Sequence, residues 1–192
     1  MASGDLTQQI SVAARGEVAD LKDTINKMIA TLRSTTKENA DQSWIDSNLA
    51  RIGGLMQGQR DLGEICRLIM HEVTPLVNAQ VGAFFLAAST ERSSGPPEVR
   101  WVMTGGYGSA IEEPPLSFGP GEGLVGQVAI GKQRILVDDV PDGYLSIRSG
   151  VGTASPRAVV VLPVQFEGEC LGVIELGSVV PFSALHLASW NA

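Results

Sequence analysis

The sequence predicts an α+β fold: a long N-terminal coiled-coil helix leading into a domain with a central antiparallel sheet flanked by helices. Three observations carry this. Val18, Leu21, Ile25, Met28 and Leu32 recur at 3-4-3-4 spacing, the seam of a coiled coil or parallel bundle. Runs rich in β-branched and aromatic residues, separated by turn residues, occupy Val81–Ala87, Val99–Thr104, Ile135–Val137 and Arg157–Ser178, as strands do. Between them, Leu116–Val140 holds Gly119, Gly121, Gly123 and Gly126. Glycines that dense mark backbone with unusual dihedrals or close approaches.

Taken in order, the first helix has its seam at Val18, Leu21, Ile25, Met28 and Leu32, and Glu17 in its first turn, where the helix dipole favours a carboxylate. Ser34–Ser43 is polar but contains no Gly or Pro, so nothing forces a break. Trp44–Val77 reads as a second long helix. Ile45, Leu49, Ile52 and Met56 make one stripe, and Leu62, Ile65, Ile69, Val73 and Leu76 another. Gly53, Gly54, Gly58 and Gly63 weaken it by up to about 1 kcal/mol each relative to Ala, allowing close helix packing or marking a hinge. Pro75 and Asn78 end it.

Val81–Ala87 is then the first strand, Ser89–Glu98 a loop, and Val99–Thr104 the second strand, with Val99, Trp101 and Met103 alternating against Arg100 and Val102. Gly105–Pro115 is a loop kept extended by Pro114 and Pro115. After Gly123 the pattern turns helical: Leu124, Val128 and Ile130 share a face, and Gly131 can end the helix. Pro141–Pro156 is a long irregular stretch, a length at which loops are often functional. Arg157–Phe166 and Glu169–Ser178 form a hairpin around Glu167-Gly168. Pro163 stands in its first strand against the general rule for central strands. Pro181–Trp190 opens a closing helix.

Composition narrows the function. The chain has 192 residues, room for one domain and an extension, and 44% are hydrophobic. The formal net charge is −7 and the pI about 4.8, which argues against a nucleic-acid face. No apolar run approaches the roughly 18 residues that span a bilayer, and the polar N-terminus has no signal-peptide core. Cys66 and Cys170 sit in apolar contexts and read as buried free thiols of a cytosolic protein. No catalytic constellation is present. His71 and His186 lie in no metal-ligand spacing, and neither a Gly-x-Ser-x-Gly nor a phosphate-loop pattern occurs.

The run GEGLVGQVAIGKQRILVDDVP, Gly121–Pro141, resembles the signature of GAF domains, small α/β sensory modules. AVVVLPVQFEGECLGVIELGS, Ala158–Ser178, resembles the paired central strands of the same family. Upstream, GDLT and GEVADLKDTINKM resemble the second half of a HAMP domain, the dimeric four-helix relay of bacterial receptors, as arranged in hybrid histidine kinases. Ile25 stands where many HAMP members have Phe. The resemblance implies a partial HAMP over 1–34, a helical linker over 35–43 and a GAF domain over 44–192, with the first HAMP helix and part of the closing GAF helix missing.

The same resemblance implies a non-catalytic sensory and relay segment of a two-component sensor histidine kinase. It would be a parallel homodimer through Val18, Leu21, Ile25, Met28, Leu32, Ile45, Leu49, Ile52 and Met56. It would be cytoplasmic, with a kinase domain downstream, and a membrane-associated parent is left open. In GAF domains the segment matching Pro141–Pro156 lids a ligand pocket, and the candidate pocket residues are Tyr144, Arg148, Asp138 and Trp101. Gly121, Gly123 and Gly126 are structural. No cofactor or metal is implied, and the ligand is unnamed. Ser146–Pro156 has no cysteine for a bilin. The cyclic-nucleotide pattern is absent, and neither histidine sits where a haem ligand is expected. GAF-type free methionine-(R)-sulfoxide reductases place a cysteine where Val125 stands, so that enzyme is the disfavoured alternative. A regulatory segment of a cyclase or phosphodiesterase is a third reading. His71-Glu72-Val73-Thr74-Pro75 resembles a kinase phospho-acceptor box with one residue missing, and is expected not to be phosphorylated.

Overall fold

The computed structural model describes residue 11 and residues 17–56, 60–90, 98–109, 114–141 and 143–183. The chain divides into two compact units, Met1–Arg51 and Ile52–Ala192. Helix α1 (Glu17–Met56) runs for 40 residues without a break, so the polar Ser34–Ser43 segment does continue the helix. Side chains four residues apart brace it. Ser34 Oγ donates to Glu38 at 2.8 Å, and Gln42 Nε2 donates to Asp46 at 2.9 Å. Such pairs stabilise a solvated helix by a few tenths of a kcal/mol each, roughly 0.2–0.5. Along the expected seam, Ile25 and Ile52 are half-buried, while Met28 is 59% and Leu32 48% exposed. The side chains of Val18, Leu21, Ile45, Leu49 and Met56, and the residues of the GDLT motif, lie outside the described ones. Within the described residues no helix is long and apolar enough to cross a membrane.

Trp44–Val77 is two helices rather than one. Helix α1 ends at Met56, and α2 (Leu62–Leu76) begins afresh behind the extended residue Asp61. The Asp61 carboxylate accepts a 2.7 Å hydrogen bond from the Gly63 N–H, the N-cap that opens a new helix. The inner face of α2 is also rotated from the expected stripe. Cys66, Met70 and Thr74 are its fully buried residues, and Leu62 is exposed.

Six strands form one sheet: β1 (Val81–Thr90), β2 (Glu98–Tyr107), β3 (Ser117–Phe118), β4 (Ile135–Asp138), β7 (Ala158–Phe166) and β8 (Glu169–Ser178). Their order is β3-β2-β1-β8-β7-β4, and every pair is antiparallel. The first two strands run three residues further than expected. A bulge explains the second. Phe84 faces Gly105 while Phe85 faces Met103, so one extra residue on β2 flips the alternation. Trp101 and Met103 point to one side and Gly105 to the other, where a Cβ would stand 2.6 Å from the Cys66 carbonyl carbon. The backbone of α2 rests directly on that glycine, which fixes which face of α2 is inward.

Alternation along β7 builds two cores. Val159 and Val161 join Phe85, Trp101, Met103, Val173 and the helix α3 (Gly123–Gly131) on one face. Ala158, Val160 and Leu162 join Phe84, Leu176 and α2 on the other. Cys170 lies in the first core and Cys66 in the second, both free and buried, so the sheet separates them. A second bulge, at Leu171, keeps Cys170 and Val173 on the same side. Pro163 is tolerated because β4 pairs only with Ala158–Val161. Beyond Val161, β7 is an edge on that side and needs no further ladder donor. The β7–β8 turn has positive φ at both Glu167 and Gly168, the tight hairpin geometry matching strand twist. The expected closing helix, apart from Pro181–Ser183, lies outside the described residues; those three are not helical.

Candidate functional site

The glycine-dense loop is the local organiser of the α3 face. Gly121 and Gly123 have φ of +75° and +60°, conformations that disfavour any side chain. Gly121 N–H donates to the Gly126 carbonyl at 3.1 Å, and Glu122 N–H to the Gly119 carbonyl at 3.1 Å, so the loop curls onto the first turn of α3. The inward residues of α3 are Val125, Gly126, Val128 and Ala129. Ile130 is exposed, contrary to the expected Leu124–Val128–Ile130 face. The loop holds the helix on Gly126, and that choice of contact sets the rotation. The helix ends at Gly131 as expected, but the left-handed cap is the next residue, Lys132, rather than the glycine.

Glu122 fastens the loop to β2. Its Oε2 accepts from the Gly119 N–H at 2.7 Å and from Arg100 Nη2 at 3.1 Å. Arg100 also reaches Ser117 Oγ at 3.3 Å and the Ser117 carbonyl at 3.2 Å. The Gly119 N–H, and then Arg100, hold the Glu122 carboxyl below its ordinary pKa of 4.5. A lowered folded pKa contributes stability that is complete above the ordinary value and lost as pH falls through the folded one. We expect Glu122→Gln to melt lower than wild type at pH 7, with the gap closing below about pH 4. Thermal melts at both pH values check this; a gap that persists in acid would assign it to shape rather than charge.

Beyond the loop, a small cavity of about 90 Å³, open to solvent on one side, lies on the sheet face that carries α3. Strand β1 supplies Val81, Gly82, Ala83 and Phe85, β2 supplies Met103, and β8 supplies Glu175 and Gly177. Ser109, Leu116 and Leu145 complete the rim. Among the described residues the wall is apolar except for Ser109 and Glu175.

Of the four candidate pocket residues, Tyr144 comes nearest. It is next to Leu145, half exposed, and its phenol is pushed up in pKa by burial and then by the charge of Glu175. It sits ahead of a short hairpin, β5 (Ile147–Ser149) with β6 (Gly152–Ala154), so Pro141–Pro156 is not wholly irregular. Arg148 is exposed on that hairpin, and Asp138 is exposed at the end of β4. Trp101 is buried in the α3-side core. Its indole N–H makes no hydrogen bond of ordinary geometry. The thiol of Cys170 nearby is pushed up by burial, against smaller opposing effects from a backbone hydrogen bond at Gly172, then Lys132 and Trp101. Neither Arg148, Asp138 nor Trp101 lines the cavity. His71 is exposed on α2, edge-on to Tyr107 with ring centroids 5.3 Å apart. Among the described residues no three His, Cys, Asp or Glu gather as a metal site.

Glu175 is a pocket residue that motif and resemblance do not point to. A signal for it exists in the strand itself: it is the charge inside β8, away from the turn that Glu169 leaves, on the same side as Val173 and Gly177 and with apolar neighbours. Strand alternation alone places it inward.

A family model described as the GAF domain matches residues 59–189. No curated protein matches the sequence. Among solved structures, the GAF domain of a phosphoenolpyruvate-protein phosphotransferase from Coxiella burnetii is similar at TM-score 0.56 and 18% identity, over 76% of this chain and 84% of that one. The fRMsr of Staphylococcus aureus, in complex with substrate, is similar at 0.54 and 14%, over 76% and 87%. The nlh2 GAF domain of A. aeolicus in an inactive state is similar at 0.54 and 14%, over 79% and 89%. At these identities the neighbours speak for the fold, and with the family match over most of the chain they establish that this protein belongs to the GAF-domain family.

Proposed function

We propose that the chain is a non-catalytic sensory and relay segment of a sensor histidine kinase. Its GAF domain binds a small ligand, and the long helix, as the second helix of a HAMP unit, carries conformational signals as a parallel dimer in the cytoplasm. The observation that carries this reading is the apolar cavity on a GAF sheet whose sequence follows a 40-residue helix. Such a cavity is a place to bind, and a long helix is an element whose packing can take two arrangements. Met28 and Leu32 stand half exposed on α1, apolar surface that a second copy would cover.

Enzymatic use of the fold has less support. At the position where the reductases carry a cysteine, the chain has Val125, fully buried in the core. Cys66 and Cys170 are both buried, with thiols pushed up by that burial, so neither is an activated nucleophile. Sedimentation velocity tests the relay reading. The chain should sediment as a dimer at about 10 µM, and a Met28→Lys, Leu32→Lys double variant as a monomer. A monomeric wild type would end the relay reading, and turnover of free methionine-(R)-sulfoxide with a thiol reductant would replace it by the enzyme.

A further inference from the structure

We propose that the cavity binds a small primary amine in its ammonium form, with Glu175 as counter-ion and Phe85, Met103, Leu116 and Leu145 around the apolar part. This deepens the sensory reading and takes its biological meaning from it. The binding itself depends only on the cavity.

The strand comes first. Glu175 lies opposite Ala83 on β1 and Val161 on β7. Neither neighbour offers a side-chain donor. No described residue hydrogen-bonds to the carboxylate or pairs with it as a cation. The charged and titratable groups that face it are few. Strands β1, β2 and β7 present Ala83, Phe85, Met103 and Val161, the inward residues of α3 are apolar, and the lid loop contributes Tyr144. Burial alone pushes the Glu175 carboxyl above its ordinary pKa of 4.5. An unpaired, partly buried carboxylate is destabilising, and rules of this kind are typically broken at functional sites.

The chemistry of the wall then selects the ligand. Anions and nucleotides are disfavoured, since among the described lining residues none is Lys or Arg and the one charge is negative. A hard cation needs several oxygen ligands, and the described lining residues offer only one carboxylate. A neutral alcohol would leave the carboxylate half satisfied. An ammonium group forms a charge-assisted hydrogen bond in a poorly solvated site, the strongest arrangement open to it, while an alkyl tail covers Met103 and Leu116. The cavity is small and open on one side, which suits a compact amine better than a polyamine or peptide.

The test uses the full chain with methyl-labelled methionines and three probes of one shape: 3-methylbutylamine, 3-methylbutanol and 3-methylbutanoate. The amine should shift the Met103 methyl resonance saturably. The alcohol should bind at least about tenfold more weakly, and the carboxylate should not bind. Glu175→Gln should remove the preference for the amine. The same variant should melt higher than wild type at pH 8. Because the folded pKa is raised, the wild type loses stability as pH rises through and above the ordinary value, so the gap should vanish below about pH 4. That melt also confirms that the variant folds. Equal binding of amine and alcohol, no saturation by the amine at about 20 mM, or undiminished amine binding by Glu175→Gln would overturn the proposal. So would a Glu175→Gln variant less stable than wild type at pH 8, since it would expose a partner for the carboxylate. Loss of dimerisation would leave these outcomes untouched, so failure of the relay reading and failure of this one are separable.

Discussion

Gly126→Ala should unfold the α3 face of the GAF domain at a temperature well below that of the wild type. The glycine has ordinary dihedrals, so the reason is space. A Cβ there would stand 2.2 Å from the Gly119 carbonyl oxygen and 3.0 Å from the Gly121 nitrogen. Both are backbone atoms of the loop that curls onto the helix, and neither can swing aside as a side-chain tip would. The loop must lift off, which breaks the Gly121 N–H to Gly126 carbonyl bond and strains the Gly119–Glu122 bond beside it. Overpacking against backbone costs about 3 kcal/mol or more, a fall of roughly 10 °C for a domain of this size. Gly123→Ala should cost less. Its φ is +60° and its nearest obstacle is the Phe118 ring at 3.3 Å, a strain of about 1–2 kcal/mol. Gly131→Ala meets nothing within 4 Å and should be neutral or stabilising by up to about 1 kcal/mol. Thermal melts of the three variants order them. If Gly126→Ala melts within about 2 °C of wild type, the loop is not what seats the helix.

That ordering also shows where sequence reasoning reaches and where it stops. The glycine-rich run marks the loop, the helix after it and the strand after that, because glycine density and hydrophobic period are local signals. It does not reveal the rotation of the helix. Leu124, Val128 and Ile130 form a plausible face by spacing, but the buried set is Val125, Val128 and Ala129, chosen by a contact at Gly126 that no local period encodes. The same holds for α2, whose face is set by Gly105 of β2, far along the chain. The bulge that turns Gly105 toward α2 is a pairing event between two strands and leaves no trace in either alone. The split at Asp61 is more legible. Asp61 followed by Leu62 and Gly63 is an N-cap signal, masked by the apolar stripes on either side. At the site, a period-2 reading of β8 places Glu175 inward. The loop residues Tyr144 and Arg148 stand out only by resemblance, and their distance from the cavity depends on a small hairpin that a Gly/Ser-rich stretch does not announce.

Removing Lys37, Glu38 and Asn39 from α1 should stabilise the dimeric helix that we propose. Val18, Ile25 and Leu32 advance by seven, and so do Leu49 and Met56, but Leu32 to Leu49 is 17 residues. That is three more than two heptads. The helix is unbroken through the joint, so the two stretches share one axis, and over 17 residues it turns about 4.7 times. The second seam therefore faces about 100° away from the first. A coiled coil can keep both buried only by local overwinding, as at a stammer. Between them, positions in either register are polar: Thr35 and Gln42, with Glu38 or Asn39. Each seam thus gains at the expense of the other, the bistability a relay needs. The three-residue deletion leaves 14 residues between Leu32 and Leu49 and brings both seams into one stripe. The two-residue deletion of Lys37 and Glu38 leaves them misaligned. Circular dichroism melts at several protein concentrations should give the order three-residue deletion, wild type, two-residue deletion from most to least stable. With an output domain attached, the three-residue deletion should hold one output state whatever the ligand. If the two deletions melt alike, the seams do not act as one coiled coil, and the helix passes its signal by some means other than a contest between them.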